Sequence, residues 1–143
     1  MIEKRIEYQL TGISGEFFVA AELAKRNFQV SISLGNAKGI DLFAKNEVGG
    51  KIFQIEVKTL RKKPNCFSLK TARLYKDFIY IFVYLNGNGI QPDFYILKGE
   101  EILGNLKHFY GSSLGTSRET VNHGPLQVYH NNWSILQNQN SIQ

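Results

Sequence analysis

The 143-residue chain has the length of one domain, and its 43% hydrophobic and 20% charged residues exclude a chain dominated by disorder. It contains no apolar run of the ~18–20 residues that a membrane span needs, and residues 1–5 lack the apolar core of a signal peptide. We therefore expect a cytoplasmic protein without a membrane segment, folded as a single domain over residues 1–136. The one cysteine, Cys66, excludes an internal disulfide and a zinc site built on cysteines.

The charge balance is basic, since 17 Lys and Arg residues against 12 Asp and Glu residues give a formal net charge of +5. Part of this excess is concentrated in residues 58–76. The basic residues of the stretch are Lys58, Arg61, Lys62, Lys63, Lys70, Arg73 and Lys76. Such a stretch suits a polyanionic partner, nucleic acid above all, and it is equally compatible with an ordinary solvated face.

The first predicted elements are a helix and a strand. In residues 14–27, apolar side chains recur near helical spacing and Ser14 is suited to cap the first turn, so we predict a helix there. Glu16 would then lie in that first turn. The alternation of apolar residues and serines over residues 30–34 predicts a strand with one buried face.

Two further strands are predicted to form a hairpin. Residues 40–44 and 51–59 are rich in apolar side chains, and residues 46–50 between them are suited to a tight reversal. Alternate residues of a strand point to opposite faces. One face of the second strand carries Phe53, Ile55 and Val57, and the other carries Gln54, Glu56 and Lys58.

The next predicted elements are a basic helix and a buried strand. We predict the helix over residues 68–77, although its apolar positions are few. The nearly continuous apolar run over residues 78–85 predicts a strand that is buried on both faces, at the centre of a sheet covered by helices. A shorter strand over residues 93–97 and a helix over residues 100–110 would extend and cover that sheet.

The last third of the chain has weaker patterns. Residues 111–124 are rich in Gly, Ser, Thr and Asn and are predicted to form an irregular loop. Residues 126–133 are predicted to add a last strand or an extended packing segment. The polar tail, residues 137–143, is expected to fray.

Three residues of the predicted hairpin can act together chemically. Asp41 and Glu56 would stand on neighbouring strands, so their carboxylates can converge on one hard cation. Mg²⁺ prefers oxygen ligands and commonly takes one or two protein carboxylates, which leaves positions for a phosphate oxygen and an attacking water. Lys58 would place an ammonium group beside the same ion. The alternative is a solvated ion-pair cluster on an exposed hairpin face.

The order of these elements resembles the PD-(D/E)XK nuclease superfamily, and in particular its archaeal-type Holliday junction resolvase-like branch. The likeness covers residues 12–85, and its most specific pieces are GEFFVAAEL (15–23), GIDL (39–42) and IEVKT (55–59). Ile40 stands where the motif's name has a proline. The resemblance implies an α/β fold with a restriction endonuclease-like core, in which a central mixed β-sheet is flanked by α-helices in the order α-β-β-β-α-β.

The resemblance also implies residue roles. Asp41 and Glu56 would be metal ligands, with the backbone carbonyl of Val57 as a third, and Lys58 would be the catalytic lysine. Glu16 would be an accessory acid near the metal that can also serve as a ligand. The basic stretch, and not the resemblance, supplies the residues expected to contact nucleic acid, which are Arg61, Lys62, Lys63, Lys70 and Arg73.

The function implied is that of a Mg²⁺-dependent endodeoxyribonuclease, with Mn²⁺ able to substitute, acting on DNA in repair, recombination or restriction as a homodimer. Two other functions stay open, namely a non-catalytic nucleic-acid-binding or assembly subunit that keeps the fold, and an RNase. His108, His123 and His130 lack the spacing of metal ligands. No serine nucleophile elbow or phosphate-binding P-loop is present in the sequence.

Overall fold

The computed structural model of the chain describes residues 2–33, 39–47 and 50–137. Its centre is a five-stranded mixed sheet with the strand order β1-β2-β3-β5-β6. These strands are Phe28–Ile32 (β1), Leu42–Asn46 (β2), Ile52–Leu60 (β3), Ile79–Tyr84 (β5) and Asp93–Lys98 (β6), and a separate small sheet pairs Phe67–Ser68 (β4) with Thr120–Val121 (β7). The predicted fold class, an α/β domain with a central mixed sheet flanked by helices, is confirmed.

The predicted hairpin is present. Strands β2 and β3 pair antiparallel with Leu42 opposite Ile55, and the Asn46 amide donates to the Lys51 carbonyl at 3.0 Å where the strands meet the turn. Residues 48–49 of this turn, residues 34–38 after β1 and the tail from residue 138 lie outside the described residues. Strand β1 pairs antiparallel with the other side of β2.

The predicted central strand is confirmed by β5, whose six residues are all buried. It lies parallel to β3, with Glu56 opposite Tyr80, and antiparallel to β6. Its alternate side chains therefore pack in two different cores, one on each face of the sheet. The first core contains Phe53, Ile55, Val57, Ile79, Ile81 and Val83 from the sheet, and the second contains Tyr80, Phe82, Tyr84, Tyr95 and Leu97.

The first core is covered by a long helix, Lys4–Lys25 (α1), which begins ten residues before the predicted start at Ser14. The expected capping role of Ser14 is wrong, because its hydroxyl lies inside the helix and donates to the Leu10 carbonyl at 2.7 Å. This bond to the preceding turn lets a serine sit within a helix. No helix of the described residues is long and apolar enough to span a bilayer.

The predicted basic helix over residues 68–77 is wrong. Only a 3-10 turn, Thr71–Arg73, forms there, preceded by the short strand β4. Tertiary partners take the polar groups that a helix would have paired. The Glu119 carboxylate accepts hydrogen bonds from the Thr71 amide and hydroxyl, both at 2.9 Å, and the Tyr80 hydroxyl accepts one from the Tyr75 amide at 2.9 Å.

Short helical elements cover the second core. The helix predicted over residues 100–110 is two short helices, Gly99–Leu103 (α2) and Leu106–Tyr110 (α3), interrupted at Gly104 and Asn105. The prediction of a strand or extended segment over residues 126–133 is wrong, since helix His123–Leu126 (α4) and a 3-10 turn, Gln127–Tyr129, occupy that region. A single bridge between Tyr95 and His130 is the strand-like contact there. The predicted loop over residues 111–124 is interrupted by a 3-10 turn, Gly111–Ser113, and by β7.

A close contact sets the distance between α1 and the sheet. Gly15 is buried in the middle of α1, and a Cβ atom there would lie 1.8 Å from the Thr59 hydroxyl oxygen and 2.7 Å from its Cβ. No side chain larger than hydrogen fits at this approach. The contact therefore holds α1 against β3 at the point where the next residue of the helix, Glu16, faces the hairpin.

We expect Gly15→Ala to destabilise the fold by about 1–3 kcal/mol, because the added methyl group must push α1 away from β3. Gly12→Ala is the matched control on the same helix, since a Cβ there meets nothing within 4 Å. That change should be neutral or stabilise by up to about 1 kcal/mol through helix propensity. Urea unfolding measures both, and equal effects would contradict the proposed role of the contact.

Candidate active site

Asp41 is held next to Glu56 by the edge of the hairpin. It directly precedes β2, and its backbone amide donates to the Ile55 carbonyl at 2.9 Å while its carbonyl accepts from the Ser33 amide at 2.8 Å. Its carboxylate Oδ2 accepts a hydrogen bond from the Val57 amide at 2.7 Å. Since Leu42 pairs with Ile55, the register places Asp41 beside Glu56, as predicted from the sequence.

Glu56 is the most unusual side chain of the site. Only 5% of it is exposed, its Oε1 lies 3.3 Å from the Lys58 ammonium nitrogen, and its Oε2 is buried without a hydrogen-bond partner in the part of the chain described. Burial raises the pKa of Glu56, and the positive charge of Lys58 acts in the opposite direction. A buried carboxylate oxygen without a partner is rare because its desolvation is uncompensated.

Glu16 joins the site from α1. The Gly15–Thr59 contact brings the helix close to the sheet, and the Glu16 carboxyl group lies near enough to Asp41 for the two to affect each other electrostatically. Burial and the negative charge of Asp41 raise the pKa of Glu16 from 4.5 to about 7. The negative charge of Asp41 therefore acts on both Glu16 and Glu56 and raises the pKa of each, while the positive charges of Lys58 and Arg73 act on the pKa of Glu56 in the opposite direction.

The carboxylate oxygens of the site suit a hard cation that takes only a few of its ligands from the protein. Within residues 2–33, 39–47 and 50–137, no group of three or more His, Cys, Asp and Glu side chains is arranged to hold a metal ion. An ion here would rely on Asp41 and Glu56, supplemented by backbone oxygen and water, which is the coordination that Mg²⁺ tolerates. The unpartnered Oε2 of Glu56 is the observation that favours such a ligand. The Val57 carbonyl as a third ligand stays a prediction.

Two of the five residues predicted to contact nucleic acid, Arg61 and Lys63, instead form polar contacts with other parts of the chain. The Arg61 guanidinium Nε donates to the Thr11 hydroxyl at 2.8 Å and lies 3.6 Å from a Glu7 carboxylate oxygen, both on α1. The Lys63 ammonium lies 2.6 Å from an Asp93 carboxylate oxygen. These interactions join segments distant in sequence, so part of the basic stretch has a structural role that its composition did not indicate.

The other three predicted contacts, Lys62, Lys70 and Arg73, are exposed and form no ion pair among the described residues. Arg73 is the one whose positive charge reaches the candidate site, where it lowers the pKa of Glu56 against the effect of burial. Its backbone is fixed, because the Arg73 carbonyl accepts a hydrogen bond from the Tyr80 hydroxyl at 3.2 Å.

Sequence reasoning missed the part that Tyr80 plays. The apolar, aromatic pattern of its strand indicated that Tyr80 is a core side chain, and it is buried in the second core. The Tyr80 hydroxyl also forms hydrogen bonds with the backbone of Arg73 and Tyr75. Because Tyr80 pairs with Glu56, these bonds hold residues 73–75 near the candidate site. Glu119 was missed as well, although its carboxylate holds Thr71 and the Gly115 amide. No local pattern could have shown either role, because each partner is brought by the tertiary fold.

Comparison with known proteins gives a structural match only. No family model and no curated protein matches the sequence. Among solved structures, the chain is similar to the bacterial homing endonuclease I-Ssp6803I, with a TM-score of 0.62 over 95% of this chain and 92% of that one and with 12% sequence identity. At this identity the match shows a shared fold, so the chain has a fold that is used by a nuclease.

We expect Glu16→Gln to stabilise the metal-free protein at alkaline pH. The folded pKa of Glu16, about 7, is above the ordinary 4.5, so the folded state keeps a proton that the unfolded state loses between these values. Its stabilising contribution is thus complete below about pH 4.5 and is lost as the pH rises through about 7. The substitution should add about 1–2 kcal/mol near pH 8.5 and almost nothing near pH 4.

Urea unfolding in the presence of a chelator measures this difference at both pH values. Glu22→Gln is the matched control, because Glu22 lies on the same helix and forms an ion pair with Arg26. It should give no gain at alkaline pH. A gain as large as that of Glu16→Gln would contradict a specific interaction between Glu16 and Asp41.

Proposed function

We propose that this chain is a Mg²⁺-dependent endonuclease of the PD-(D/E)XK type that hydrolyses phosphodiester bonds in DNA. The observation that carries the proposal is the buried, unpartnered Oε2 of Glu56 beside the Asp41 carboxylate, with Lys58 on the same strand. The similarity of the fold to a bacterial homing endonuclease supports it. DNA repair, recombination and restriction are the settings in which such an activity would be used.

Each residue would have a distinct role. Asp41 and Glu56 would hold the metal ion, which polarises a phosphate oxygen and makes bound water a better nucleophile. Lys58, 3.3 Å from Glu56, would orient the attacking water and balance the negative charge that develops on phosphorus. Glu16, with its pKa of about 7, would accept or return a proton beside Asp41 as an accessory acid.

The burial of Glu56 favours this function over a solvated ion-pair cluster. A cluster on an exposed face would leave both carboxylate oxygens in water, whereas Glu56 is almost fully enclosed. Removing a carboxylate from water costs several kcal/mol unless its partners compensate, and Lys58 contacts one oxygen only. A subunit that merely bound nucleic acid would gain nothing from this arrangement, so catalysis is the better account of it.

The basic surface supports a nucleic-acid substrate. Lys62, Lys70 and Arg73 are free to meet phosphates, and Arg73 is fixed at the side of the candidate site. The choice of DNA over RNA rests on the resemblance to DNA nucleases and on the homing endonuclease of similar fold. The same resemblance supports a homodimer and the use of Mn²⁺ in place of Mg²⁺.

We expect Asp41→Asn, Glu56→Gln and Lys58→Ala each to lower Mg²⁺-dependent cleavage by at least about 100-fold, while folding and DNA binding are retained. The first two remove anionic ligands, and the third removes the ammonium group beside them. Mn²⁺ should partly rescue the carboxamide variants, because it binds weakened sites more tightly than Mg²⁺, and should not rescue Lys58→Ala.

The assay uses duplex, single-stranded and branched DNA and RNA, with and without divalent metal. Asp77→Asn and Lys45→Ala are matched controls, since both residues are exposed and lie outside the site, and they should change the rate by less than about twofold. Cleavage of RNA alone would favour the RNase alternative. Wild-type rates in the Asp41 and Glu56 variants would falsify the site, and DNA binding without any cleavage would favour the binding subunit.

The basic stretch should divide into two groups in binding experiments. Lys62→Ala, Lys70→Ala and Arg73→Ala should each make the salt dependence of DNA binding shallower by about one unit of slope, because each removes a phosphate contact. Arg61→Ala and Lys63→Ala should change the slope by less than about half a unit, since these side chains are already paired with Glu7 and Asp93. Equal slopes in both groups would contradict the division.

A further inference from the structure

One face of α1 carries a continuous apolar stripe that is open to solvent. Ile6, Leu10, Ile13 and Phe17 follow each other at spacings of four, three and four residues, which places them on one side of the helix. Their side chains are between 40% and 59% exposed. Scattered apolar residues are normal on a protein surface, but a contiguous row of four large ones is typical of an interaction site.

The stripe is not required by the core of the domain. The opposite side of α1 carries Thr11, Gly15, Val19 and Leu23, which are the buried residues of the helix. These four point to the sheet and complete the packing on that side. A helix with one buried face normally presents polar side chains to solvent. Packing within the chain therefore does not explain the apolar outer face of α1.

We infer that the stripe packs against the same stripe of a second copy of this chain, with the two α1 helices antiparallel. The 4-3-4 spacing is that of the seam of a two-helix coiled coil. If the twofold axis passes midway between Leu10 and Ile13, Leu10 of one copy meets Ile13 of the other, and Ile6 meets Phe17. Each large side chain then faces another apolar one along about 17 Å of helix.

The area of the stripe suits a second copy. If a fully exposed large side chain offers roughly 200 Å², within the 150–250 Å² that aromatic side chains bury, the four residues provide roughly 400 Å² per copy. Ile2, 61% exposed just before the helix, adds roughly 100 Å² on the same basis. Two stripes would therefore bury roughly 1,000 Å² in total, which is the lower limit for a specific interface.

Charge along the edge of the stripe favours the antiparallel direction. Glu3 and Glu7 lie along one edge near the start of α1, and Lys25 lies along the same edge at its end. In an antiparallel pair the same edges of the two helices meet, which brings Glu3 of one copy towards Lys25 of the other, and opposite ends of the two helix dipoles lie side by side.

The test compares neighbouring phenylalanines on α1. Phe17→Glu and Ile13→Glu should raise the dissociation constant of the dimer by at least about tenfold, because they place charge in an apolar interface. Phe18→Glu is the matched control, since Phe18 is 44% exposed but lies roughly 100° away around the helix, and it should leave the constant unchanged. Sedimentation over a concentration series measures association, and circular dichroism verifies that each variant is folded.

If a glutamate variant fails to fold, Phe17→Ala replaces it and should still weaken association relative to Phe18→Ala. Cross-linking then tests the direction, in a Cys66→Ser background. Copies carrying Leu10→Cys should form disulfides with copies carrying Ile13→Cys in preference to their own kind. A protein that is monomeric at every concentration, equal effects at Phe17 and Phe18, or preferential Leu10→Cys self-pairing would each overturn the proposal.

The proposal rests on the surface of α1 and not on the proposed nuclease activity. Its measurements contain no cleavage step, so failure of the nuclease proposal would leave them unchanged. Conversely, a monomeric protein could still hydrolyse DNA through Asp41 and Glu56. Because Glu16 is next to Phe17, a dimer formed in this way would hold two candidate sites at a fixed spacing on one pair of helices.

Discussion

The hydrogen bond from the Val57 amide to the Asp41 carboxylate joins the fold to the candidate site. At this point the antiparallel ladder between β2 and β3 ends, and a side chain takes the place that a backbone carbonyl would have filled. The bond satisfies a backbone amide of β3 and fixes the Asp41 carboxylate beside Glu56. Loss of the site geometry would therefore also leave a backbone donor of β3 without its partner.

The site is electrostatically unfavourable for the folded chain. Asp41 acts on the pKa of both Glu16 and Glu56, and burial is the largest cause of the raised pKa of each glutamate. The two apolar cores of the sheet supply the stability that holds these groups together. Natural proteins accept such local conflicts at functional sites, and a divalent cation is the ligand that would relieve this one.

Helix α1 serves three purposes with three different faces. Its inner face completes the first core, Gly15 brings the helix near enough for Glu16 to approach Asp41, and its outer face carries the exposed apolar stripe. The basic stretch is divided in a similar way, because Arg61 and Lys63 stabilise the fold while Arg73 stays exposed at the site. Composition alone does not separate these roles, since it contains no information on which partners lie nearby.

The sequence by itself determined the hairpin, the buried strand β5 and the common strand face of Glu56 and Lys58, because period-two alternation and turn residues act over a few neighbouring positions. Only the tertiary structure decided that residues 68–77 are not a helix, since Glu119 and Tyr80 bind their polar groups. It also decided the pKa of Glu16, which depends on how closely α1 approaches Asp41. These properties arise from contacts between distant segments, where local propensity is a weak guide.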